Sequence, residues 1–139
     1  MLQPPVSATP WQAWGVSRVL VVDGANVVGS RPDGWWRDRA GAAIRLHGRL
    51  AVADTSYDEI VLVLEGQAKA GVRHGRDGHL RTVHAPKDGD AAIVLEARTA
   101  SELGHEVIVV TADRTLAQRV EHLGCRTMSP SWLLSVISS

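Results

Sequence analysis

Residues 18–30 read RVLVVDGANVVGS, and the fold turns on what that stretch becomes. Its apolar, β-branched run predicts a strand over residues 18–22, which carries straight into Asp23, Gly24 and Asn26. Runs of this kind suit strands covered on both faces, whereas a half-exposed strand alternates apolar and polar residues. A core strand ending on a carboxylate, followed by a turn and a carboxamide, gains meaning only if other acids reach the same place.

Working outward, the pattern alternates. Residues 38–53 place Ala43, Leu46, Leu50 and Ala53 on one helical face. EIVLVLE (59–65) predicts a second strand and HLRTVHA (79–85) a third. Residues 88–103 predict a helix with Ile93, Val94, Ala97 and Ala100 inward, stopped by Gly104. HEVIVVT (105–111) is the fourth strand, and DRTLAQRVEHLG (113–124) a helix burying Leu116, Val120 and Leu123. CRTMS (125–129) is a short fifth strand, and PSWLLSVI (130–137) a last helix with Pro130 in its first turn. Apolar strands alternating with helices imply a parallel sheet in a layered α/β domain. The link from the second strand to the third carries no helical period and reads as an irregular polar loop.

The 139 residues, 45% apolar, suit one compact domain over residues 17–139. Residues 1–16, rich in Pro and Trp, read as an N-terminal arm, with Trp11 and Trp14 pinning it to the domain or serving a partner. Fifteen acidic residues balance fifteen basic ones, so net charge predicts no polyanionic partner. The lone Cys125 excludes an internal disulfide and suits a reducing compartment. No signal peptide and no bilayer-length apolar run is evident, so a cytoplasmic protein without membrane attachment is expected. The oligomeric state stays open, a homodimer included.

A parallel sheet gathers its strand ends on one edge, where ligands bind. Asp23 ends the first strand, Glu65 the second, and Asp113 follows the fourth. Asp88 and Asp90, in KDGDAAIV, open the helix that feeds the fourth strand, so all five carboxylates converge on one rim. Clustered carboxylates repel and call for a compensating cation. Oxygen ligands without Cys or His suit a hard divalent ion, Mg²⁺ or Mn²⁺, of the kind that supports phosphodiester hydrolysis. Each acid also has an ordinary role: Asp88, Asp90 and Asp113 can serve helix N-termini, Asn26 a turn, and Glu65 a rim ion pair.

With Asp23, Asn26, Asp90 and Asp113 in place, the chain resembles the PIN-like nucleases, specifically the NYN branch. VVDGANVV is similar to that branch's opening motif, KDGDAAIV to its middle acidic helix start, and TADRTLAQRV to its third acidic motif. The similarity spans residues 18 to about 134. It implies a three-layer α/β/α sandwich around a five-stranded parallel sheet of order 3-2-1-4-5. It also implies metal-dependent ribonuclease chemistry, with Asp23, Asp90 and Asp113 as ligands and Asn26 orienting Asp23 or a water. Asp88 and Glu65 are additions to that metal set. Two departures stand out: Val94 sits one turn after Asp90 where a second acid is common, and LEGQ lacks an Asp at the end of the second strand.

The polymer would be held by basic and aromatic residues. Residues 69–87 carry Lys69, Arg73, Arg76, Arg81 and Lys87 against Asp77, with His74, His79 and His84 interleaved. They read either as a flexible phosphate clamp or as a solvated mobile loop. Their histidines lack structural-zinc spacing and default to solvated or backbone-bonded roles. Arg114, beside Asp113, is a further phosphate candidate. Trp35, after a Pro-Asp-Gly turn, could stack on a base or pack as core. The expected function is therefore a divalent-metal-dependent endoribonuclease acting on RNA. The alternatives are a metal-dependent nucleotide phosphohydrolase, a Toprim-type acidic site, or a catalytically silent RNA-binding or interaction module.

Overall fold

The computed structural model of the protein describes residues 17–31 and 34–138, so the expected arm and its Trp11 and Trp14 lie outside the described residues. In chain order the elements are β1 (Arg18–Asp23), α1 (Gly24–Gly29), a 3-10 turn (Trp35–Arg37), α2 (Arg39–Val52), β2 (Glu59–Leu64) and a 3-10 turn (Gly66–Ala70). There follow β3 (Gly75–Asp77), β4 (Leu80–His84), α3 (Gly89–Glu102), β5 (Glu106–Val110), α4 (Arg114–Glu121), β6 (Arg126–Met128) and α5 (Pro130–Ile137). The stretch after Asp23, expected as a turn, is the short helix α1, because the Asp23 carboxylate caps it by accepting from the Asn26 backbone N–H.

Helices cover both faces of one sheet, and the alternation of side chains along β1 shows why. Leu20 and Val22 join Leu62, Leu64, Ile108 and Val110 beneath residues of α1, α2 and α5. Val19 and Val21 point the other way, joining Val61, Val63, Val107 and Val109 beneath Ile93 and Ala97 of α3 and Leu116 and Val120 of α4. Successive strand residues thus feed two separate cores. Both faces are apolar, so the strands carry no polar alternation.

The sheet has six strands in the order β3-β4-β2-β1-β5-β6. This corrects the expected five-stranded, all-parallel sheet in count and direction: a sixth, antiparallel strand at one edge shifts the overall order, while the five expected strands lie among themselves as 3-2-1-4-5, here β4-β2-β1-β5-β6. The added member is β3, antiparallel to β4 with Asp77 opposite Leu80, joined through Gly78 and His79. Gly78 has a φ of 59°, a conformation that glycine adopts without strain. A glycine opening the two-residue loop, Gly78 before His79, is the hairpin signal that the irregular-loop expectation overlooked. β1 lies inside the sheet, parallel to β2 on one side and β5 on the other.

Candidate active site

Asp23 closes β1 in the sheet interior, and only 5% of its surface is exposed. One carboxylate oxygen accepts from the Thr111 hydroxyl at 2.9 Å and the other from the Asn26 backbone N–H at 3.3 Å. Burial pushes its carboxyl above the ordinary range. The two hydrogen bonds oppose that rise, and the nearby charges of Asp90 and Glu65 add to it.

Thr111 is the functional residue that the sequence reading missed. Its hydroxyl donates to Asp23 and also accepts from the Asp113 backbone N–H at 3.1 Å. It therefore joins the ends of β1 and β5 and helps set where both aspartates stand. The available signal was a hydroxyl directly after the apolar run 107–110 and two residues before Asp113. Asn26 reinforces the same junction, because its side-chain oxygen accepts from the Ala112 backbone N–H at 3.0 Å. It orients Asp23 through its backbone and the β5–α4 connection through its side chain.

The remaining acids serve helix starts as well as the rim. Asp88 and Asp113 N-cap α3 and α4, accepting from the backbone N–H groups of Asp90 and Leu116 at 3.0 and 3.1 Å. Glu65 accepts from the Gly89 backbone N–H at 2.6 Å, which ties the start of α3 to the end of β2. Asp90 in the first turn of α3 has its carboxyl raised, first by burial, then by the charges of Asp113, Asp88 and Glu65; Arg119 offsets part of this. Asp23 and Asp90 thus share one repulsive field with Glu65, and Asp113 and Asp88 press on Asp90. Among the described residues, however, no three His, Cys, Asp or Glu side chains are placed to hold one metal ion. The next turn of α3 adds no acid, since Val94 is buried and Glu96 pairs with Arg81.

The basic residues divide between the two ends of the sheet. Arg76 pairs with Glu59, and Arg81 pairs with both Glu59 and Glu96. Glu59 begins β2 and Arg81 lies early in β4, so this network sits toward the end of the strands opposite Asp23. The expected flexible clamp over residues 69–87 is therefore corrected. Most of that segment is the end of a 3-10 turn and the β3–β4 hairpin, and two of its arginines are engaged by carboxylates elsewhere. His79 and His84 donate to the carbonyls of Leu50 and Val72, the ordinary backbone-bonded role.

Nearer the rim, Lys69 donates to the Ala85 carbonyl at 2.9 Å, while Lys87, Arg73 and Arg114 are exposed. Trp35 is partly exposed, and its ring lies 6.2 Å from that of Trp36 in an edge-to-face pair. Trp35, Glu65 and Lys87 help to line a cavity of about 280 Å³. A larger cavity of about 430 Å³ lies along α2 and has no acidic side chain in its lining.

The chain matches no protein-family model and no curated protein sequence. It is similar to a solved structure, Rae1 (YacP) from Bacillus subtilis, with a TM-score of 0.68 and 20% sequence identity. The likeness covers 87% of this chain and 75% of that one and shows a shared fold. Among the described residues, no helix is long and apolar enough to cross a membrane.

Proposed function

We propose that the protein is a divalent-metal-dependent endoribonuclease of the PIN-like, NYN type, cutting RNA at the rim where β1 and β5 end. One observation carries the reading: a buried Asp23, held by Thr111 beside Asn26, shares a repulsive field with Asp90 and Glu65, and Asp90 in turn with Asp113. Carboxylates with raised proton affinity, gathered on one edge, are the pattern expected of a functional acidic site.

The donor set is all oxygen and fits a hard cation in its chemistry, Mg²⁺ or Mn²⁺, with Asp23, Asp90 and Asp113 as holders and Glu65 and Asp88 behind them. Such an ion would offset the carboxylate repulsion, polarise the phosphate and lower the pKa of a water. The chain's own residues prepare for this. Thr111 fixes the Asp23 carboxylate in one orientation. Asn26, its side-chain oxygen engaged by Ala112, is left with its amide N–H groups to donate to a phosphate oxygen or a water. The α3 N-terminus, anchored by Glu65, keeps Asp90 against the rim.

The test incubates the intact protein with labelled RNA, single-stranded DNA and nucleoside triphosphates, with Mn²⁺ or Mg²⁺ and with a chelator. Internal cleavage of RNA that is lost with the chelator, and reduced about a hundredfold in Asp23→Asn, is the expected result. Cleavage of triphosphates alone would replace the nuclease reading with a nucleotide phosphohydrolase. The silent RNA-binding module keeps one specific observation in its favour, the lack of a three-ligand group among the described residues. RNA binding without any metal-dependent cleavage would establish it.

A further inference from the structure

The cavity of about 280 Å³ beside the acidic rim combines features found in neither the rim nor the larger cavity along α2. Val28 and Leu64 give it apolar lining, Trp35 an aromatic ring, Glu65 an acceptor, and Arg39 and Lys87 two cations. It is continuous with the catalytic end of the sheet, because Gly24, which follows Asp23 directly, also lines it. Glu65 belongs to both places, lining the cavity and raising the proton affinity of Asp23 and Asp90. The Trp35 ring is held rather than free. A Cβ at Gly29 would stand 3.6 Å from the indole, and the Arg39 guanidinium lies 5.5 Å from the ring centroid. Trp36 is more exposed, at 55%, yet it does not line the cavity.

A nucleobase has apolar faces, polar edges and a phosphate on either side, and this lining matches each part. The volume falls just under the roughly 300 Å³ at which pockets for drug-sized molecules begin, which suits one base better than a longer segment. We infer that the cavity receives one unpaired base of the polynucleotide, stacked on Trp35, directly beside the phosphate at the Asp23 rim. Lys87 and Arg39 then meet the flanking phosphates. The inference rests on the ribonuclease reading for the identity of the polymer, and it narrows the substrate to RNA whose bases can leave a stack. Loops, bulges and single strands qualify and a continuous duplex does not, since only unpaired bases can be turned out onto an aromatic side chain.

The experiment measures binding by fluorescence anisotropy in EDTA, so that the readout does not depend on cleavage. The probes are a short labelled single-stranded RNA and copies with one abasic ribose moved along the strand. The proteins are the full chain and its Trp35→Ala, Trp35→Phe and Trp36→Ala variants. Trp35→Ala is expected to weaken binding of the intact RNA roughly tenfold, the size of a lost stacking contact. Trp35→Phe should restore most of that loss, and Trp36→Ala should bind as the parent does. One abasic position should weaken the parent by a similar factor and leave Trp35→Ala no weaker than before. Equal losses for Trp35→Ala on intact and on every abasic RNA, or no loss on any, would overturn the inference. If base-dependent binding persists while no RNA is cut with metal present, the nuclease reading falls and the pocket stands. If RNA is cut and the Trp35 variants bind normally, the pocket falls and the nuclease stands.

Discussion

Asp23 carries a cost that the rest of the fold tolerates. Its carboxyl is buried and raised above the ordinary value of 3.8. A raised carboxyl binds its proton more tightly in the folded chain than in the unfolded one. Stability is therefore lost as pH climbs from the unfolded value through the folded one, and the loss is complete at every higher pH. Asp90, raised by burial and three neighbouring acids, acts in the same direction. Asp23→Asn keeps an acceptor for Asn26 and removes the buried charge, so its melting temperature at pH 7 should exceed the parent's by a few degrees. The gap should close as pH falls toward 4. Calorimetric melts across that range check this, and a variant that melts lower than the parent at pH 7 would refute it. Adding Mn²⁺ should raise the parent's melting temperature more than the variant's, because a ligand stabilises only the state that binds it.

The elements at the rim are positioned by close approaches with no slack. α1 begins at Gly24, where a Cβ would meet the Val63 carbonyl oxygen at 2.6 Å and a Leu64 methyl at 2.9 Å. The neighbour at closest approach is β2 backbone, which cannot swing aside. Gly24→Ala should therefore cost about 1–3 kcal/mol. It should also displace α1 from β2 and so disturb Asn26 and the wall of the base cavity together. Chemical denaturation would show the loss as a lower midpoint with an unchanged slope. α3 is held by the bond from the Gly89 N–H to Glu65, which makes Glu65 a fastener of the helix that presents Asp90. The second departure from the NYN pattern, a Glu in LEGQ where an Asp is common, thus has a structural use here. The longer side chain reaches the neighbouring helix start.

Across the whole molecule, charge is sorted between the two ends of the sheet. The end that holds Asp23 is rich in carboxylates pressing on one another. Toward the other end, Arg76 and Arg81 are paired with Glu59 and Glu96. That pairing joins β4 and β2 to α3 and leaves little net charge to meet a phosphate. Arg81→Met should accordingly destabilise the fold by about 1 kcal/mol, by leaving a half-buried Glu96 without its partner. RNA affinity and its dependence on salt should stay as they were. Lys87→Ala should do the reverse, keeping stability while lowering the salt slope by about one. Salt titrations of binding for both variants separate the two ends, and a changed slope for Arg81→Met would refute the sorting.

What the amino-acid order determined by itself was local. Unbroken apolar runs at residues 19–22, 60–64 and 107–110, alternating with helical periods, implied strands buried on both faces. Strands of that kind place whatever follows their last residue on a common edge, so the gathering of Asp23, Glu65 and Asp113 was legible without coordinates. The arginine clamp was not, because Arg76 and Arg81 look free in the chain. Arg76 meets Glu59, 17 residues away on β2 and one strand beyond its own neighbour β4, and Arg81 meets Glu96, 15 residues away on α3. The clasp around Asp23 lay further out of reach, since Thr111 and Asp23 are 88 residues apart and meet only because β5 lies beside β1. Periodicity reports how each segment meets water. Which charge faces which depends on strand order and register, and only the folded chain sets those.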